Sequence, residues 1–177
     1  MPVRKIEDGI VYFCKRRMSM KKLYSIDKAS VSDIKGITKL RVALLKKVDG
    51  IQTKEEEAKI ISATKNYLET EIPNHNFVSY IAKNDEEVVS VSVSGVSFFK
   101  RPPYLENLQG VEAYILNMYT LPNHRSQGLA RQLLEKCIEE CEKRNVKRIW
   151  LHASKDGEPL YKSMGFRFKG SEMELFL

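Results

Sequence analysis

Among 177 residues there are only three cysteines, one tryptophan and six prolines. No stretch approaches the roughly 20 consecutive apolar residues that a membrane-spanning helix requires. Cys14, Cys137 and Cys141 are too few and too odd in number for a disulfide framework. The early apolar run GIVYFC falls short of the roughly 7 to 15 residues of a secretory signal core, so a cytoplasmic protein with no membrane partner is expected. No GxxxxGK[ST] or GxGxxG string occurs, which removes the Walker and dinucleotide-binding loops. Internal repeats and low-complexity tracts are lacking too.

What is present is 42% hydrophobic residues, enough at this length for one packed core. The formal charge of +7, from 30 Lys and Arg against 23 Asp and Glu, suits an anionic ligand, nucleic acid or an acidic membrane surface, and dispersed charge does not choose among them. The basic residues are dispersed and form no aromatic-interleaved patch, so nucleic acid is not expected as a partner. Residues 1–19 are basic and lack a clear period; they read as an appendage, expected to be disordered, with alternative starts at Met18 or Met20. The domain is expected over 20–177.

Periodicity then sets the elements. After a short strand in KKLYSIDKAS, a Ser30–Asp33 capping box opens a helix with Ile34, Ile37, Leu40, Leu44, Leu45 and Val48 at helical spacing, stopped at Gly50. A second box, Thr53–Glu56, opens a helix with Ile60, Ile61, Tyr67 and Leu68 on one stripe, ended by Pro73. The period then drops to two: Val89, Val91 and Val93 alternate with Ser90, Ser92 and Ser94, predicting an antiparallel hairpin with one buried face. KRPPYLENLQG reads as a loop. VEAYILNMYT reads as a strand, RQLLEKCIEECEKR as a helix, VKRIWLHAS as a buried strand and GEPLYKSM as a short helix. Two final strands are expected at Phe166–Phe168 and Met173–Phe176.

Between the strand at 111–120 and the helix that follows lies RxxGxA, Arg125 to Ala130. A helix start has unpaired N–H groups and a dipole that favours negative charge, so this turn suits an anion. Gly128 lets the backbone approach it, and Arg125 offers a bidentate fork. Alone, the string is common. Downstream, however, LYKSMGF places Tyr161 four residues before Gly165.

Together, LNMYTLPNHRSQGLARQLL and LYKSMGF resemble the GNAT superfamily of N-acetyltransferases over roughly 20–177. The resemblance implies one α/β domain of the α+β type: a mixed, mostly antiparallel sheet with a splayed central parallel strand pair, flanked by helices. It implies acetyl-CoA as co-substrate, without a metal. The family's pyrophosphate loop falls on Arg125, Ser126, Gln127, Gly128, Leu129 and Ala130. Its pantetheine-bonding strand falls on Met118, Tyr119 and Thr120, and its next strand end on Ser154, where many members have Asn. Its general acid falls on Tyr161, a phenol able to protonate the departing thiolate. The acceptor is then a primary amine of a small molecule or peptide; a homodimer stays open, as does a non-catalytic acyl-CoA-binding module. No base is assigned: Glu112 reads equally well as a solvated edge charge, and His152 as an imidazole directed toward the splay. Cys137 and Cys141, spaced i and i+4, read as core residues rather than a metal pair.

Overall fold

The computed structural model describes residues 24–48, 50–84 and 89–170, with short pieces at 6–7, 10–11, 173 and 175. The appendage at 1–19 lies outside the described residues apart from two strands, β1 (Ile6–Glu7) and β2 (Ile10–Val11), paired antiparallel with each other. The strand expected over Met173–Phe176 lies largely outside them as well.

Five further strands form one sheet in the order β3 (Tyr24–Lys28), β4 (Phe77–Asn84), β5 (Val89–Lys100), β6 (Val111–Thr120) and β7 (Arg148–Trp150). Neighbours run antiparallel except β6 and β7, whose parallel pairing needs the crossover helix α3 (Leu129–Lys143). Helices α1 (Ile34–Lys47) and α2 (Lys54–Glu71) pack over one face, α3 and the short α4 (Glu158–Ser163) over the other. None of the described helices is long and apolar enough to cross a membrane.

Sequence chemistry explains the element starts. In α2, Glu56 N–H donates to Thr53 Oγ1 at 3.1 Å while the Glu56 carboxylate accepts from Thr53 N–H at 2.9 Å, so two otherwise orphaned donors are satisfied. Before α1, the Asp33 carboxylate accepts from Ser30 N–H at 2.9 Å. The core divides across the sheet. Ile34, Ile37, Leu40, Leu68 and Phe77 pack under α1 and α2, whereas Ala113, Ile115, Leu133, Leu134, Cys137 and Cys141 pack under α3. Burial pushes both thiols up to about 12, so they stay protonated.

Three expectations are corrected. The serines of β5 do not face solvent: Ser92 and Ser94 are buried, Ser92 donating to Tyr119 O at 3.1 Å and Ser94 Oγ lying 3.1 Å from Cys137 Sγ. Helices cover both faces of this inner strand, so alternation here marks which helix a side chain meets. A register shift opposite Ala82 and Lys83 also puts Val91 in the α3 cluster and Val93 in the α1–α2 cluster. Next, β7 is a half-buried strand of three residues rather than a long buried one, since the chain leaves the sheet after Trp150. Phe166–Phe168, finally, is in no strand: Phe166 N–H donates to Tyr161 O at 3.0 Å, closing the turn of α4, and Phe168 is exposed.

Candidate active site

Strand β6 decides where a ligand can enter. Its pairing with β7 spans only Glu112–Tyr114, so among the described residues no strand pairs with it on that side from Ile115 to Thr120. On its other side β6 is bulged: Val93 faces Tyr119 and Gly95 faces Leu116, so Asn117 and Met118 together oppose Ser94. Asn117 takes a φ of +57°, a conformation that asparagine tolerates better than most residues. The backbone of Met118, Tyr119 and Thr120 thereby borders an open gap.

Past the strand the chain makes a 3₁₀ turn at Pro122–His124 and enters α3 through Arg125–Gly128. Ser126 and Gly128 both have positive φ, +59° and +76°. Gly128 is the N-cap residue and no side chain caps the helix. The first intrahelical bond comes from Gln132 N–H to Gly128 O, so the preceding amides of α3 are left for another acceptor. Alternating handedness in such a turn points successive N–H groups into a concavity suited to an anion. Arg125 is held by its Nε donating to Thr120 O at 3.1 Å and lies over the Tyr119 ring at 5.8 Å.

These elements border one cleft of about 810 Å³. Met118, Tyr119, Thr120, Arg125, Ser126, Gly128, Leu129, Ala130, Ser154 and Tyr161 all line it; Gln127, at the exposed crest of the turn, does not. Lys47, Arg125, Arg131 and Lys155 supply four cations against the single carboxylate of Asp156. Uncapped amides, an open strand edge and excess positive charge fit a long ligand with a phosphate group at one end. Ser154 also shapes the wall as a turn former, since Gly157 N–H donates to its Oγ and Glu158 N–H to its backbone O.

Tyr161 sits in α4 at the wall of this cleft and is buried. Burial, with a smaller contribution from Tyr114, raises its pKa above the ordinary phenol value, so the hydroxyl keeps its proton at neutral pH. Its ring rests on Gly157, where a Cβ would stand 2.8 Å from Tyr161 Cε2.

Several wall residues had no readable signal in the sequence. Leu44 and Val48 belong to the apolar stripe of α1, yet Val48 is exposed and both line the cleft rather than the core. Lys47 forms an ion pair with Asp156, joining the last turn of α1 to the loop before α4. His124 is buried in the cleft wall, its Nδ1 3.1 Å from the Tyr24 hydroxyl. Glu112, by contrast, is neither a base nor a solvated edge charge. Fully buried, it accepts from Tyr104 at 3.1 Å and pairs with Arg101 at 3.3 Å and Arg148 at 3.4 Å. Burial works against its charge, but those three partners win and hold its pKa below the usual value.

Comparison with known proteins agrees with this geometry. Residues 46–166 match the model of the acetyltransferase (GNAT) family. An acetyltransferase from Clostridium acetobutylicum, solved with acetyl-CoA, superposes with a TM-score of 0.78 at 30% identity, over 87% of this chain and 96% of that one. A GCN5-related N-acetyltransferase from Ralstonia eutropha JMP134 shares the fold at TM-score 0.74 and 20% identity, over 87% of this chain and 99% of that one. The [ribosomal protein bS18]-alanine N-acetyltransferase of Escherichia coli K12 is 41% identical over 58 residues, 31% of this chain and 39% of the relative, so well under half of that relative is spanned. The chain belongs to the acetyltransferase (GNAT) family.

Proposed function

We propose that the chain transfers the acetyl group of acetyl-CoA directly to a primary amine of a small molecule or peptide. The observation that carries this reading is the position of Tyr161, buried and protonated, on a cleft whose other walls are the uncapped start of α3 and the open edge of β6. In this arrangement Arg125, Ser126 and the amides at Gly128–Ala130 hold the pyrophosphate. The β6 backbone at Met118–Thr120 bonds the pantetheine arm as an added strand would, with Ser154 at the opposite wall, and one of its N–H groups, at Tyr119 or beside it, stabilises the tetrahedral oxyanion. Tyr161 gives its proton to the departing sulfur and regains one from solvent.

The acceptor is an amine, and the resemblance to the bS18-alanine enzyme makes an N-terminal α-amino group the first to try. The test is an acceptor panel read by thiol release. It includes an alanine-initial peptide, a lysine peptide with a blocked N-terminus, glucosamine 6-phosphate and an aliphatic diamine. Amine-dependent release supports the reading and names the acceptor class. Tight acetyl-CoA binding with no release above hydrolysis for any amine would overturn it in favour of a binding module.

A further inference from the structure

From Pro122 to Gly128 every residue is exposed except His124, which is 6% exposed. A turn that needed only an apolar anchor would be served by a leucine. An imidazole brings two ring nitrogens instead, and each is costly to bury without a partner. One of them is accounted for: Nδ1 lies 3.1 Å from the Tyr24 hydroxyl, with the two rings edge to face at 5.9 Å and 79°. Tyr24 opens β3, the edge of the sheet farthest from β7. The turn reaches it because Leu121 N–H donates to Val91 O at 2.9 Å, which lays the chain across the sheet end where Val89, Asn84 and Tyr24 stand side by side.

The other nitrogen, Nε2, has no hydrogen-bond partner among the described residues, and it is not one of the polar atoms sealed in the core. The open space that His124 borders is the cleft, which it lines together with Arg125, Ser126 and Gly128. When the Tyr24 hydroxyl donates to Nδ1, the ring proton sits on Nε2 and turns a donor toward that space. Asp156 is the one carboxylate on the cleft wall, and it is already paired with Lys47. The remaining charged groups there, Arg125, Arg131 and Lys155, are cations. An Nε2 donor therefore joins a wall that lacks a free anion of its own.

We propose that His124 donates from Nε2 to the pyrophosphate of the bound acetyl-CoA and that Tyr24 positions it, a role resting on the acetyl-CoA reading above. The pyrophosphate is preferred to the 3′-phosphate of the same ligand because His124 directly precedes Arg125 and the uncapped start of α3. The burial of His124 then has a cause: the ring is held from behind by Tyr24 so that one nitrogen stays aimed at the ligand. Strand β3, at the opposite edge of the sheet from the splay, thereby takes part in binding the acetyl donor.

The test is calorimetric titration with CoA and with dephospho-CoA, which keeps the pyrophosphate and lacks the 3′-phosphate. His124→Phe keeps a ring against Tyr24 and removes both nitrogens, whereas His124→Gln puts an amide N–H near the place of Nε2. The Phe variant should bind both ligands about 10- to 100-fold more weakly, the size expected of a hydrogen bond to a charged group, and the Gln variant should recover most of that loss. Tyr24→Phe should weaken both ligands by a smaller factor and add nothing to His124→Phe in the double variant. The chain has three histidines, so the ring-nitrogen NMR signals of the unsubstituted protein give a reading that does not depend on any variant folding. Nε2 of His124 should carry the proton, and its signal should move when dephospho-CoA is added. A Phe variant that binds like the parent, a Gln variant as weak as the Phe one, additive losses in the double variant, or an Nε2 that lacks its proton or ignores dephospho-CoA would each overturn the proposal. A loss seen with CoA alone would overturn it too, by moving the contact to the 3′-phosphate. A parent chain that binds neither ligand would instead fail the acetyl-CoA reading itself and take this role with it.

Discussion

Gly157 lies directly beneath the ring of Tyr161, with room for a hydrogen and nothing larger: a Cβ there would stand 2.8 Å from Cε2 and 3.3 Å from Ser154 Oγ. Its φ of −86° suits any residue, so the glycine is present for space and not for backbone freedom. Gly157→Ala should push the ring off its seat, with a stability cost of about 1 to 3 kcal/mol from overpacking. Acetylation should slow more than acetyl-CoA binding weakens. Thermal melting beside single-turnover rates checks this; a variant as fast as the parent would mean that the ring position does not matter to the reaction.

Tyr161→Phe deletes the hydroxyl and leaves the ring on Gly157. Acetyl-CoA affinity should stay nearly unchanged, while single-turnover rate falls by about 10² to 10⁴ if the hydroxyl supplies the proton. Steady-state rates alone mislead where product release is slow, so the comparison belongs in single turnover across pH. Matching rates throughout would reduce Tyr161 to a packing residue.

At Gly128 the limit is conformational. A Cβ would meet only Gln132 Nε2 at 3.7 Å, but the φ of +76° is one that β-branched residues avoid. Gly128→Val should therefore unseat the turn and weaken acetyl-CoA binding by an order of magnitude or more, whereas Gly128→Asn, which tolerates this conformation, should lose much less. Calorimetric titration of the two variants decides it. Equal losses would point to side-chain bulk, and no loss in either would remove the turn from pyrophosphate binding.

Two buried glutamates set the acid limit of stability. Glu112 is held by Tyr104, Arg101 and Arg148, and Glu140 by Arg144 and Lys28; in each case the partners outweigh burial and depress the pKa below 4.5. Their contribution is full above that value, where the unfolded chain would also be ionised, and is lost as pH falls through the folded pKa. Melting temperature should fall steeply below about pH 4.5, and Glu112→Gln should flatten that fall while lowering stability at neutral pH by about 1 to 3 kcal/mol. At the other extreme, burial and then Glu140 push the Tyr80 phenol up to about 12. That contribution holds below the ordinary value of 10 and is lost as pH rises through 12.

Much of this was legible in the sequence because local chemistry and tertiary position agreed. The Thr53–Glu56 box started α2 where expected, the Ser30–Asp33 box opened a 3₁₀ turn at Val31–Asp33 that runs into α1, and the RxxGxA turn and Tyr161 reached one cleft. The misreadings have a common cause. Period two in β5 and the tail of the α1 stripe report only that one side of an element differs from the other; they do not say what lies opposite. Ser92 and Ser94 meet a strand and a helix instead of water, and Leu44 and Val48 meet a cleft instead of the core. Gly157 and the Tyr24–His124 pair depend on contacts between elements, which no local pattern encodes. The short β7 follows from strands that part, a feature of the sheet as a whole.

The extra residue at Asn117 gives β6 two phases in one strand. Leu116 and Tyr119, three apart, both pack on the α1–α2 side, whereas an unbroken strand would send them to opposite sides. Every side chain from Met118 onward therefore owes its assignment to that single bulge. Straightening the strand with every residue kept would exchange Met118 and Tyr119 between the two faces of the sheet, whereas removing the extra residue would leave both where they are.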